Sequence, residues 1–142
     1  MSTTDLREFG IGLFDRWTAM WNGDGALAGQ IMAPEFRLRY AQAGTESFDD
    51  VRRPAQLAEV IAGWHRTHSG LCFAAEGLAA VDLVLADGAP AGRVARPYRA
   101  SFADGNGGTV ARSGIDVLGV SGGLITEVWS VSGGADGRLF YA

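Results

Sequence analysis

The sequence predicts an α+β fold in which three N-terminal helices lie against a curved, mainly antiparallel sheet. Two observations carry that expectation. Apolar residues recur at helical spacing up to about Gly70 and at a spacing of two beyond it. Glycine supplies 21 of the 142 residues, about twice ordinary usage, and many glycines fall in short turns between extended segments, as a strongly bent sheet requires.

Each element follows from local chemistry. Over residues 5–21, Leu6, Phe9, Leu13, Trp17 and Met20 form one helical stripe, widened by Phe14 and Trp21, while Arg7, Glu8 and Asp15 fall away from it. Asn22-Gly23 can stop this helix in a left-handed cap, Asp24 can cap a second short helix to about Met32, and Pro34 ends that one. Residues 35–41 alternate, with Phe36, Leu38 and Tyr40 on one face and Arg37 and Arg39 on the other, so they read as a half-buried strand. Pro54 suits the first position of a third helix, which runs to about Ser69-Gly70 with Leu57, Val60, Ile61 and Trp64 on its apolar face. Four extended segments follow, 71–86, 92–103, 109–120 and 124–132, separated by the turn sequences DGAPAG, DGNGG and SGG.

Composition narrows the function. With 47% hydrophobic and 20% charged residues, residues 1–142 are expected to form one domain with a real core. The net charge of -4 and the scattered arginines argue against a nucleic-acid surface, which needs a clustered basic stripe. The N-terminus has no basic region followed by an apolar one, and no apolar run approaches the roughly 20 residues of a membrane span, so a soluble cytoplasmic protein without membrane contact is expected. A single cysteine, Cys72, excludes an internal disulfide and a cysteine-based zinc site, and in LCFAA it reads as a small core residue. Two histidines on one helix and no clustered carboxylates leave no metal site expected. The glycines of DGNGG lie between strands, not at a helix N-terminus, so no phosphate-binding loop is expected either.

The segment SGIDVLGVSGGLITEVWSV, residues 113–131, places a carboxylate, Asp116, inside an apolar hairpin, where a charge is costly unless it is paired, hydrogen-bonded or protonated. If Gly122-Gly123 is a two-residue turn, Ser121 pairs with Leu124 and Asp116 falls opposite Trp129. One strand earlier, Val94, Tyr98, Ala100 and Phe102 form the more apolar face and carry Arg96 with them, so Arg96 and Tyr98 are candidates for the same pocket; a one-residue slip would substitute Arg99. His68 projects near the centre of the Leu57, Ile61 and Trp64 stripe, with His65 to one side, and is either a pocket group or a core histidine bonded to backbone. Tyr40 shares the Phe36 and Leu38 face, and its hydroxyl needs a partner if buried. Trp17 and Trp21 are packing residues or an aromatic wall for a flat ligand. Asp116 itself is a pocket carboxylate, one half of an ion pair with an arginine, or a partner in a strand-end hydrogen bond.

The chain resembles the nuclear transport factor 2-like superfamily and, within it, the SnoaL-like polyketide cyclase group. The matching pieces are the opening helix ending in WTAMWNGD, the following IMAPEFRLRY, and GIDVLGVSGGLITEVWSV, with its order of Gly, aliphatic, Asp, β run, Gly turn, Ile and Trp. The resemblance implies a cone-shaped sheet wrapped around the helices with a pocket at its open end, and dimers built from the outer sheet face. It also implies that Asp116, in Gly114-Ile115-Asp116, serves as the acid/base. Such chemistry needs a carboxylate of raised pKa, since a weakly solvated Asp is a stronger base and can return the proton within one cycle.

Two classes of function fit. One is a cofactor-independent cyclase, isomerase or dehydratase acting on a small, apolar carbonyl compound, with Asp116, His68 and Tyr40 as catalytic groups and Trp17, Trp64, Arg96, Tyr98 and Trp129 lining the site. The other is a ligand-binding or dimerisation domain without chemistry. An unpaired Asp116 in an open cavity favours the first; an Asp116 tied to Arg96 or Arg99, in a cavity filled by Trp17, Trp64 and Trp129, favours the second. A homodimer through the outer face is expected because Ile115, Val117 and Val128 would otherwise meet water.

Overall fold

The computed structural model describes residues 1–134 and 136–141. Among these, helix α1 (Thr3–Trp21) opens at a reciprocal cap between Ser2 and Asp5 and closes at Asn22, with Gly23 at φ +117° just beyond. A 3-10 turn (Gly25–Leu27) and the single turn α2 (Ala28–Ile31) replace the longer second helix expected, and the Asp24 side chain makes no cap bond. Strand β1 (Met32–Tyr40) therefore starts earlier than expected and runs through Pro34. That is permitted because β1 is an edge strand, where a missing N–H leaves no ladder bond unmade. A second 3-10 turn (Glu46–Asp50) precedes α3 (Pro54–Thr67), which begins at Pro54 as expected.

Beyond α3 come β2 (Cys72–Ala75), β3 (Ala80–Ala86), β4 (Ala89–Ala103), β5 (Thr109–Ser121) and β6 (Leu124–Ser132). The expected single segment 71–86 is thus two strands, broken at Gly77 with φ +64°, and both pair antiparallel with the long β4. The turn after β3 is tighter than DGAPAG suggested: Asp87 and Gly88 alone make it, both at positive φ. Cys72 is exposed at the start of β2, not a core residue.

The sheet runs in the order β1-β6-β5-β4-β2, with β3 also on β4; every pairing is antiparallel except β1 with β6. α1 packs on its concave face so closely that a Cβ on Gly10 would lie 2.7 Å from Val81 Cγ1. The core lies between them and includes Phe14, Met20, Leu57, Ile61, Leu118 and Ile125. At roughly 1.5–3 kcal/mol for each fully buried large apolar side chain, this layer supplies most of the force holding helices to sheet. Among the described residues, no helix is long and apolar enough to cross a membrane.

One register detail decides the site. Ser121 pairs with Leu124 as expected, but the ladder shifts by one between Gly119 and Val120, because Thr126 is an extra residue on β6. Asp116 consequently faces Ser130, and Trp129 faces Val117 on the outer side. The same shift turns Val128 into the core, fully buried, so it does not belong to the outer apolar patch.

Candidate active site

Asp116 sits at the middle of β5 on the concave face, 7% exposed. The indole Nε1 of Trp17, from the C-terminal part of α1, donates to its Oδ2 at 2.9 Å. Its Oδ1 is fully enclosed and has no hydrogen-bond partner among the described residues. Burial pushes the Asp116 pKa up from 3.8 to about 6, against the pull of the Ser130 hydroxyl and the Trp17 N–H, which both favour the charged form. No arginine pairs with it. Arg96, although directly opposite on β4, turns outward to the Gly77 carbonyl at 3.0 Å and to Asp15 at 3.4 Å. The break between β2 and β3 exposes that carbonyl and so captures the side chain. Arg99, on the outer face, pairs with Glu76 at 3.0 Å and donates to the Tyr141 carbonyl.

Asp116 lines a partly open cavity of about 100 Å³ between the helices and the sheet. Its walls are aromatic: Trp17 and Trp21 from α1, Phe48 from the second 3-10 turn, Trp64 from α3, and Phe73 and Phe102 from the sheet. Trp17 meets Trp21 edge-on at 6.1 Å, and Tyr40 stacks on Phe48 at 4.5 Å. Most of the polar groups come from the strands, Tyr40, Tyr98, Arg112, Asp116, Ser130 and Ser132, with Thr18 added from α1 and Gln42 from the loop after β1. Burial raises the pKa of Tyr40 well above the usual phenol value, and the charge of Asp116 raises it further; Tyr98 is raised for the same two reasons. Both hydroxyls therefore remain protonated donors at any working pH.

Gly114 explains how Tyr98 fits. It lies opposite Tyr98 in the β4–β5 ladder, and a Cβ there would fall 2.5 Å from the tyrosine Oη and 2.6 Å from Cζ. The absent side chain lets the ring lie flat on the strand between Asp116 and Arg112.

Of the residues singled out from sequence, Asp116, Tyr40, Trp17, Trp64 and Tyr98 line this cavity, and His68, Arg96 and Trp129 do not. α3 ends at Thr67, so His68 takes an extended conformation and leaves the helical stripe. Its ring stacks on Trp64 at 4.8 Å, and Nδ1 lies 3.1 Å from the Trp64 carbonyl. Trp129 lies under the Arg93 guanidinium, 4.9 Å from its ring centroid, on the convex side. Arg112, Ser130, Ser132 and Gln42 were missed. Arg112 shares strand parity with Gly114 and Asp116, which was a usable signal; the two serines depended on the bulge.

No family model and no curated protein matches the chain. Solved structures do. A protein of Acidithiobacillus ferrooxidans provisionally described as a polyketide cyclase aligns over 93% of this chain and 91% of its own, at TM-score 0.67 and 17% identity. A protein of Agrobacterium tumefaciens, provisionally an isomerase of the SnoaL-like family, aligns over 88% and 97% at TM-score 0.62 and 17% identity. A nuclear transport factor 2-like protein of unknown function from Cytophaga hutchinsonii aligns over 89% and 98% at TM-score 0.59 and 10% identity. The chain has the nuclear transport factor 2-like fold. At these identities the likeness is one of architecture, and a nuclear transport factor 2-like cone hosts many activities, so function has to be argued from the cavity.

Proposed function

We propose that the chain is a small-molecule enzyme of the cyclase or isomerase type, in which Asp116 moves a proton at the carbon beside a ketone without a cofactor. The observation that carries this reading is the free, enclosed Oδ1 of a carboxyl whose pKa lies near 6, facing an aromatic cavity. With Oδ2 held by Trp17, Oδ1 is the oxygen available as base. The α C–H bond breaks, its proton goes to Oδ1, and the electron pair moves onto the carbonyl oxygen, which accepts hydrogen bonds from Tyr40 and Tyr98. The enolate carbon then adds to a second carbonyl of the same molecule, or the proton returns at another carbon. Asp116 gives the proton back in either case.

The test requires no knowledge of the natural substrate. In D2O, the wild-type chain should exchange the α-protons of a bound aryl ketone such as phenylacetone, followed by NMR, and Asp116→Asn should slow that exchange by roughly 10²–10⁴-fold. Equal exchange by both proteins would sink the proposal. A second reading, a binding domain without chemistry, is favoured by how far Trp17, Trp21, Phe48 and Trp64 fill the cavity; it predicts ketone binding with no exchange. We also propose that a second copy covers the outer sheet face, where Ile115 and Val131 are 38% and 49% exposed beside Val117 and Trp129. Sedimentation showing only monomer at micromolar concentration would count against it.

A further inference from the structure

We propose that Arg112 is the anchor for a carboxylate on the substrate, so that the cavity prefers a compact aromatic or alicyclic keto acid to a neutral ketone. This rests on the reading of Asp116 given above and adds the chemical class of the ligand.

Arg99 and Arg112 each have an enclosed Nε without a hydrogen-bond partner among the described residues. Arg99 is matched by Glu76 at 3.0 Å. Arg112 has no carboxylate and no hydrogen-bond acceptor among the described residues, although it lies 5.4 Å from the Phe102 ring centroid and lines the cavity. Arg112 is half-buried, with its Nε shut away from water and no acceptor to meet it, which is costly, and the planar fork of a guanidinium is shaped for two oxygens of one carboxylate. The vacant partner at this point is therefore an anion arriving with the ligand.

The spacing agrees. Arg112 and Asp116 are four residues apart on one face of β5, about 13 Å along the strand at ~3.3 Å per residue, with only Gly114 between them on that face. The Tyr98 ring lies over Gly114, across the gap. A molecule with its carboxylate on Arg112 and its ketone near Asp116 would lay its ring against Tyr98 and the aromatic wall. The anion would then sit away from Asp116, leaving that group free to work as a base. The cavity of about 100 Å³ suits a single ring.

The experiment compares 3-phenylpropionate with its uncharged amide of nearly equal shape, following quenching of the cavity tryptophans at pH 7.5 and low salt. The wild-type chain should bind the carboxylate at least tenfold more tightly than the amide. Arg112→Gln should erase the difference while leaving amide affinity within about twofold, and Arg112→Lys, which keeps the charge but not the fork, should restore part of it. Equal binding of the two probes by the wild type, or a preference that survives Arg112→Gln, would overturn the anchor and leave the Asp116 reading standing. Failure of both probes to bind would overturn the cavity reading and the anchor with it. Should Arg112→Gln fail to fold, a carboxylate preference in Arg112→Lys as large as the wild type's would be the overturning result.

Discussion

Replacing Asp116 with Asn should change stability in opposite directions at low and high pH. The folded-state pKa is raised from 3.8 to about 6, so the folded protein holds a proton that the unfolded chain releases. The stability contributed by that proton is complete below about pH 4 and is lost as pH rises through about 6. The gap, at about 1.4 kcal/mol per pH unit, corresponds to about 3 kcal/mol of burial cost carried by the ionised carboxyl at pH 8. Asn removes that cost. It also introduces one of about 1–2 kcal/mol, because the Trp17 N–H then meets a neutral oxygen and the amide NH2 takes the place of the enclosed Oδ1 with no acceptor. The variant should therefore be about 1–2 kcal/mol more stable than wild type at pH 8 and less stable by a similar amount at about pH 3.5, with the curves crossing near pH 5. In a chain of this length that is a difference of roughly 3–6 °C in Tm at each extreme. Thermal unfolding followed by circular dichroism from about pH 3.5 to 8.5 reads it directly. A variant destabilised as much at pH 8.5 as at pH 3.5 would refute the reasoning and make Asp116 a strut held by a partner.

Three further outcomes are expected. Trp17→Phe removes the one N–H that the described residues give the carboxyl, so the pKa of Asp116 should climb further and the pH at which the proton-linked stability is lost, read from the same melts, should move above 6. Gly114→Ala should displace the Tyr98 ring and weaken binding of an aryl ketone about tenfold, measured by tryptophan quenching, while an unchanged affinity would mean that Tyr98 does not form the ligand surface. Excising Thr126 should leave a folded protein, because Ile125 and Val128 stay inward when the bulge is removed, whereas inserting one residue after Val128 should turn Trp129 into the cavity and abolish cooperative unfolding.

The parts of the fold that could be read from sequence are those governed by neighbouring residues. The change of period near Gly70, the Asn22-Gly23 stop, Pro54 at a helix start and the Gly122-Gly123 turn each depend on a few adjacent side chains, and each stands where it was expected. What could not be read depends on partners distant in the chain. Pro34 was taken as a terminator because its edge position is known only once β1 pairs with β6. The break at Gly77 is visible only against β4, and it draws Arg96 away from the cavity. The site divides the same way. Asp116 stood out because a carboxylate among aliphatic residues is locally anomalous, whereas His68 was misplaced by extending helical geometry one residue beyond the helix, and Ser130 was hidden by a bulge that has no turn sequence to announce it.

The origin of each group in the cavity constrains how this architecture can change its chemistry. The Thr18 hydroxyl on α1 donates to the Phe14 carbonyl, while the cavity's charged groups, Asp116 and Arg112, and the hydroxyls of Tyr40, Tyr98, Ser130 and Ser132 are carried by the sheet. There the ladder holds facing residues about 5 Å apart with little freedom to drift. The tryptophans and Phe48, by contrast, come from helices and a 3-10 turn, whose attachment is mainly apolar burial. Such packing tolerates changes of size and angle at a modest cost, whereas a shift of one residue in the ladder exchanges every group on the reacting face. The helical side can therefore reshape the volume for a different ligand while the strands keep the proton-transfer geometry fixed. Trp17 is the exception, since its indole also holds Oδ2 of Asp116 and so couples the shape of the wall to the basicity of the carboxyl. Of the cavity aromatics, it is the one whose replacement changes both the space offered to a ligand and the pH range in which Asp116 can act.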